Sequence, residues 1–161
     1  MTARSLAVVA ALSLGASVAC ADQMAKLPYQ GEGHILVNAD ALKWRDVASM
    51  APGAKMAILE GDPANEEPFT FRLTLPANYR IDPHVHPAYE RVTVLSGTFH
   101  FAHGEKFDRA QTKALSPGGF AVMAPGEPMF GYTEKETVVQ LHGTGPWGIE
   151  YLNPEDDPRK Q

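Results

Sequence analysis

Cysteine is nearly absent, with Cys20 the only one among 161 residues. No disulfide can therefore staple the chain, and a site built from several thiolates is excluded. Runs of Lys and Arg are also missing. The 14 basic residues are outnumbered by 19 acidic ones, for a net charge of −5, which makes a poor surface for nucleic acid or anionic lipid. No internal repeat or low-complexity tract is visible. No segment of helical length carries a convincing amphipathic period. Beyond the N-terminus, no run approaches the ~20 apolar residues that a membrane span needs.

The first 21 residues read as an export signal rather than as part of the fold. Arg4 supplies charge, Leu6 to Leu14 is apolar, and Ala19-Cys20-Ala21 gives the small-x-small pattern of a cleavage site before Asp22. The protein is thus expected in the periplasm or outside the cell. A lipid anchor on Cys20 is the weaker alternative, because Ser17 stands where a bulky aliphatic residue is wanted. Cleavage removes Arg4 and no acid, so the mature chain is still more acidic.

What remains is long enough to bury a core without disulfides. Gly and Pro punctuate short runs rich in β-branched and aromatic residues. Strands are expected within 34–37, 55–60, 69–75, 90–95, 98–103, 119–123, 128–133, 137–142 and 148–152. Phe69, Phe71, Leu73 and Leu75 share one face, and Thr70, Arg72 and Thr74 the other. Residues 41–50 are the best helix candidate, and a weak one. Many short strands with regular turn signals indicate an all-β sandwich or barrel in a single domain. Residues 22–53 would form an arm, poorly fixed up to 33, with the first strands. Residues 54–152 would form the barrel and 153–161 an exposed tail.

Chemistry concentrates in Ile81-Asp82-Pro83-His84-Val85-His86-Pro87-Ala88-Tyr89-Glu90. On a strand, His84 and His86 point the same way, and Glu90 keeps their parity. Two imidazoles and a carboxylate can hold one divalent ion and leave coordination positions open. Pro83 and Pro87 flank and stiffen the pair.

The spacing His84-x-His86, three residues, Glu90, six residues, Gly97 resembles the first motif of the cupin superfamily. Asn78 stands where that motif has an earlier Gly, a mild change because Asn tolerates left-handed turns. Residues 118–129 resemble the second motif. Gly118 and Gly126 match its glycines, and Pro125 lies one place beyond its Pro. Met129 occupies the position of its metal-binding His, and Thr133 that of its final Asn. The resemblance spans 54–152. It implies a double-stranded β-helix, the jelly-roll barrel, with one divalent transition metal (Fe, Mn, Zn, Ni or Cu) inside on His84, His86 and Glu90.

Met129 can ligate, in which case its soft sulfur favours copper(I), or simply line the pocket. His142 is the other candidate to complete the set. Val138, Gln140 and His142 share one strand face and Val139 and Leu141 the other, and periodicity does not choose which faces inward. If the first set does, Gln140 joins the pocket. Tyr132 is a pocket candidate that could act, like Glu90, in proton transfer. His100 is expected outside the barrel. Trp44 and Trp147 read as core or interface aromatics. The Gly143–Gly148 stretch reads as a turn, lacking the Lys and helix of a phosphate loop.

Together these readings favour a metal-dependent enzyme of dioxygenase, isomerase or lyase type acting on a small oxygen-bearing organic molecule. The alternative is a non-catalytic exported protein that binds a metal or small ligand. The resemblance also suggests a homodimer. Intact-mass measurement of the exported protein is expected to give a chain starting at Asp22. A chain starting at Cys20 with added lipid mass would identify a lipoprotein instead.

Overall fold

The computed structural model describes residues 27–161. The expected signal at 1–21, with Cys20, lies outside the described residues. Eleven strands follow one another: β1 (Arg45–Asp46), β2 (Lys55–Glu60), β3 (Pro68–Leu75), β4 (Arg80–Val85), β5 (Glu90–Ser96), β6 (Phe99–His103), β7 (Lys113–Leu115), β8 (Phe120–Met123), β9 (Met129–Thr133), β10 (Thr137–Thr144) and β11 (Glu150–Tyr151). They form a six-stranded sheet in the order β1-β2-β3-β10-β5-β8 and a five-stranded sheet in the order β11-β4-β9-β6-β7. All named pairs are antiparallel. This is the expected all-β jelly roll.

Side-chain alternation decides what fills the space between the sheets. On β3, Phe69, Phe71, Leu73 and Leu75 are buried while the residues between them are partly open. On β10, Val139 and Leu141 are the buried set. Leu141 sits opposite Phe71 on one side and Val92 on the other, so three strands contribute to one inner layer. Burying each such side chain contributes about 1.5–3 kcal/mol.

Three expectations are corrected. Residues 34–37 form no strand. The helix candidate at 41–50 is replaced by a single 3-10 turn at Ala39–Ala41, then β1 and a further turn. Here Leu42 and Met50 are buried, and the Val47 N–H bonds the Ala54 carbonyl, so packing overrides a weak helical preference. The arm is fixed at Tyr29, whose backbone pairs with Leu59 and Gly61. The tail is mostly exposed but fastened. Asp157 is buried and bound by Arg159, whose guanidinium also donates to the Ile149 carbonyl at 3.1 Å.

Two turn positions carry special backbone geometry. Asn78 has φ 58°, the left-handed conformation anticipated for the residue replacing a motif Gly. Gly97 has φ +77°, and a Cβ there would lie 2.5 Å from both the Glu136 carbonyl and the Thr137 hydroxyl. That hydroxyl lies between the Lys135 and Thr98 carbonyls and accepts the Thr98 N–H, so it has nowhere to move. Among the described residues no helix is long and apolar enough to cross a membrane. Gly97→Ala is expected to lower unfolding stability by at least about 1–3 kcal/mol, the cost of a strained backbone before any clash. Urea denaturation measures this, and an unchanged midpoint would contradict the packing described.

Candidate functional site

A bulge in β4 aims the first histidine. The register between β4 and β9 shifts between Ile81 and His84, so both turn inward although two residues, an even number, separate them. Pro83, unable to donate to a ladder, lies within this irregularity. His86 follows the strand, and its carbonyl accepts the N–H of Gly126, one of the second motif's two positive-φ glycines. Glu90 opens β5 after the turn. All three side chains are buried and line one cavity. The histidine pair and Glu90 thus meet across a turn, not along one strand.

The hydrogen bonds orient both rings. His84 Nδ1 lies 2.7 Å from the Asp82 carbonyl and His86 Nδ1 2.6 Å from the Gly148 carbonyl. A carbonyl only accepts, so each Nδ1 carries hydrogen and each neutral ring keeps its Nε2 lone pair. The rings meet nearly edge-on, with centroids 4.9 Å apart. His86 Nε2 is buried without a hydrogen-bond partner, and Glu90 Oε2 lies 3.4 Å away.

The two imidazoles differ in proton affinity. Burial, and then the neighbouring His86, push His84 down to about 4, against the smaller pull of the Asp82 carbonyl and Glu90. Its lone pair is therefore free at neutral pH. Burial also opposes charge on His86, but the Glu90 carboxylate and the Gly148 carbonyl outweigh it and raise its pKa.

The cavity is apolar apart from this end. Leu73, Val92, Phe99, Met129 and Leu141 supply much of its wall. It leaves about 50 Å³ for the centres of water-sized molecules, room for roughly four waters at about 10–15 Å³ each. One rim is the segment carrying Val47, Ser49 and Met50. Tyr79 donates to the Ala51 carbonyl at 2.5 Å and Tyr151 to the Ser49 carbonyl at 3.1 Å, fastening that rim. Burial, then nearby negative charge led by Asp157, pushes the Tyr151 phenol up to about 12, so it stays a donor at neutral pH.

Met129 is buried opposite His84 in the β4–β9 register and lines the cavity. The other candidates lie elsewhere. His142 and Gln140 point away from the interior, because Val139 and Leu141 take the inner face; Gln140 accepts from Arg72 Nε at 3.1 Å. Tyr132 is buried on the outer side of its sheet, stacked on His100 at 4.4 Å and covered by Arg109. Trp147, read from the sequence only as a core or interface aromatic, joins the site, its ring stacked on His86 at 4.7 Å and 18°.

The donor types suit a divalent ion: two bare imidazole nitrogens, one of them a buried orphan, beside a carboxylate. The arrangement is not closed. Among the described residues no three His, Cys, Asp or Glu side chains are gathered into a ready metal cage.

A family model described as a ChrR cupin-like domain matches residues 32–111. Among solved structures, the polyketide cyclase RemF from Streptomyces resistomycificus is similar at 17% identity and a TM-score of 0.66, over 80% of this chain and 92% of that one. The DMSP lyase DddQ from Ruegeria pomeroyi is 19% identical, with a TM-score of 0.58 over 72% of this chain and 64% of its own. An RmlC-like cupin from Shewanella frigidimarina is 15% identical, with a TM-score of 0.55 over 70% and 91%. At these identities the likeness concerns the fold. A search of curated proteins finds no match. With the family match, the two-sheet jelly roll and these neighbours in agreement, the chain belongs to the cupin superfamily.

Proposed function

We propose that this protein is a metal-dependent enzyme acting on a small, oxygen-bearing organic substrate. One observation carries the reading. His84 and His86 both spend Nδ1 on backbone carbonyls, which leaves both Nε2 atoms available beside Glu90 at the polar end of an apolar cavity. Fixing the ring through Nδ1 is the usual way a protein presents Nε2 to a metal. His84, His86 and Glu90 would hold the ion, and Met129 would line the pocket. A bound divalent ion supplies Lewis acidity, or redox capacity if it is iron or copper.

The surrounding residues contribute the rest. The hydrophobic wall excludes bulk water and strengthens electrostatic interactions at the polar end. The carboxylate of Glu90 would be the group that takes up or releases a proton as a substrate changes charge. Cupin relatives of this shape include a polyketide cyclase and a lyase, and the fold alone does not choose a reaction. The signal-like N-terminus would place the activity outside the cytoplasm, and a homodimer is part of the same proposal.

A second reading has its own support. Three donors that are not drawn together, with a thioether in the fourth position, also suit a barrel that binds a small organic molecule without metal. Elemental analysis of the exported protein separates the two. We expect stoichiometric metal in the wild type, and a fall in metal affinity of more than about tenfold in His86→Ala, since even outer-shell changes cost that much. Met129→Leu is expected to keep the metal. A wild type without metal beside a Met129→His variant that acquires it would overturn the enzyme reading and favour the binding protein.

A further inference from the structure

The indole N–H of Trp147 is buried and has no acceptor. Buried tryptophan N–H groups nearly always find one, and leaving one unmet costs about 1–3 kcal/mol. This donor belongs to a cavity-lining residue whose ring lies flat against His86, and the His86 Nε2 is the other buried polar side-chain atom without a partner among the described residues. Both unmet groups therefore belong to neighbouring stacked rings that line one cavity.

The remainder of the wall limits what can meet them. No Lys, Arg, Asn or Gln lines the cavity. Away from this end Ser49 is the one polar side chain on the wall, so a second polar group on a ligand would face mostly side chains such as Leu73, Phe99 and Ile149 and lose its hydration with little compensation. The cavity leaves about 50 Å³ for the centres of water-sized molecules, which suits a compact ligand.

We infer that the cavity takes a compact ligand with one oxygen-bearing end and an apolar body, and that the Trp147 indole N–H donates a hydrogen bond to that oxygen. This rests on and narrows the substrate class proposed above. Trp147 is then a specificity residue. It selects for an acceptor oxygen at a fixed place beside His86, and it explains why a tryptophan, rather than a phenylalanine, is packed between His86 and the Phe71 ring.

Trp44 and Trp147 are the only tryptophans. Trp44 does not line the cavity, so Trp44→Phe leaves one indole N–H signal to follow by NMR. The probes are ethyl methyl ketone, its hydrocarbon analogue with a methylene in place of the oxygen, and succinate. They are titrated into the protein as purified and after loading with zinc. The ketone is expected to move the Trp147 N–H signal downfield in a saturable way. The hydrocarbon should bind without that downfield movement, and succinate should leave the signal in place. Trp147→Phe, checked for an unchanged thermal transition, should weaken ketone binding by roughly 3- to 10-fold, the worth of one hydrogen bond. No saturable shift would overturn the inference, as that N–H would then be answered by water alone. Equal binding of succinate, or unaltered ketone affinity in Trp147→Phe, would overturn it as well. Metal content of the same samples keeps the two readings apart. A ketone shift without metal removes the enzyme reading alone, and retained metal without a shift removes only the role of Trp147.

Discussion

The hydrogen bond from His86 Nδ1 to the Gly148 carbonyl, 2.6 Å long, ties the end of β4 to the segment between β10 and β11. Several features depend on it. It fixes the ring so that Nε2 faces Glu90 rather than the backbone. It holds the neighbouring Trp147 where its indole can lie on that ring. It also continues the contact between β4 and β11, whose pairing of Val85 with Glu150 lies beside it. A buried imidazole without such an acceptor would be free to rotate or change tautomer, and the polar end would lose its defined face.

The rest of the interior is organised by exclusion. β3, β5 and β10 turn their aliphatic and aromatic residues inward, which leaves a wall with almost no polar atoms. In that setting the few polar groups interact strongly. His84 loses its proton readily because burial and a neighbouring imidazole both oppose its charge, whereas His86 keeps a claim on one through Glu90. Two chemically identical side chains, two residues apart, thus have unlike proton affinities within one cavity.

Much of this was legible in the residues. Spacing, together with the cupin resemblance that it carries, brings out His84, His86 and Glu90, and Asn78 is a residue that can take the left-handed turn. The strict alternation of Phe69 to Leu75 announced a strand with one buried face. Other features depend on contacts that no local pattern records. The strand 137–142 carries aliphatic residues on both faces, so the outward placement of Gln140 and His142 awaited the packing of Val139 and Leu141 against β3 and β5. Tyr132 follows Met129 by an odd number of residues along β9, which sends it to the outer side, where Arg109 and His100 enclose it. Trp147 belongs to a glycine-rich turn without periodicity, and only the path of the chain past Gly148 brings it to His86. The bulge at 82–83 likewise has no signature beyond its proline.

The rim at Ser49 and Ala51 is held by two phenols, and in both cases the acceptor is a backbone carbonyl. An anchor of this kind is indifferent to the side chain it restrains. Residues along that stretch can be exchanged without cutting the moorings, so the contour of this part of the wall can drift in the course of evolution while its position stays put. The histidine end has no such latitude. Within one barrel, the polar end is written in side chains and the hold on this edge in main chain.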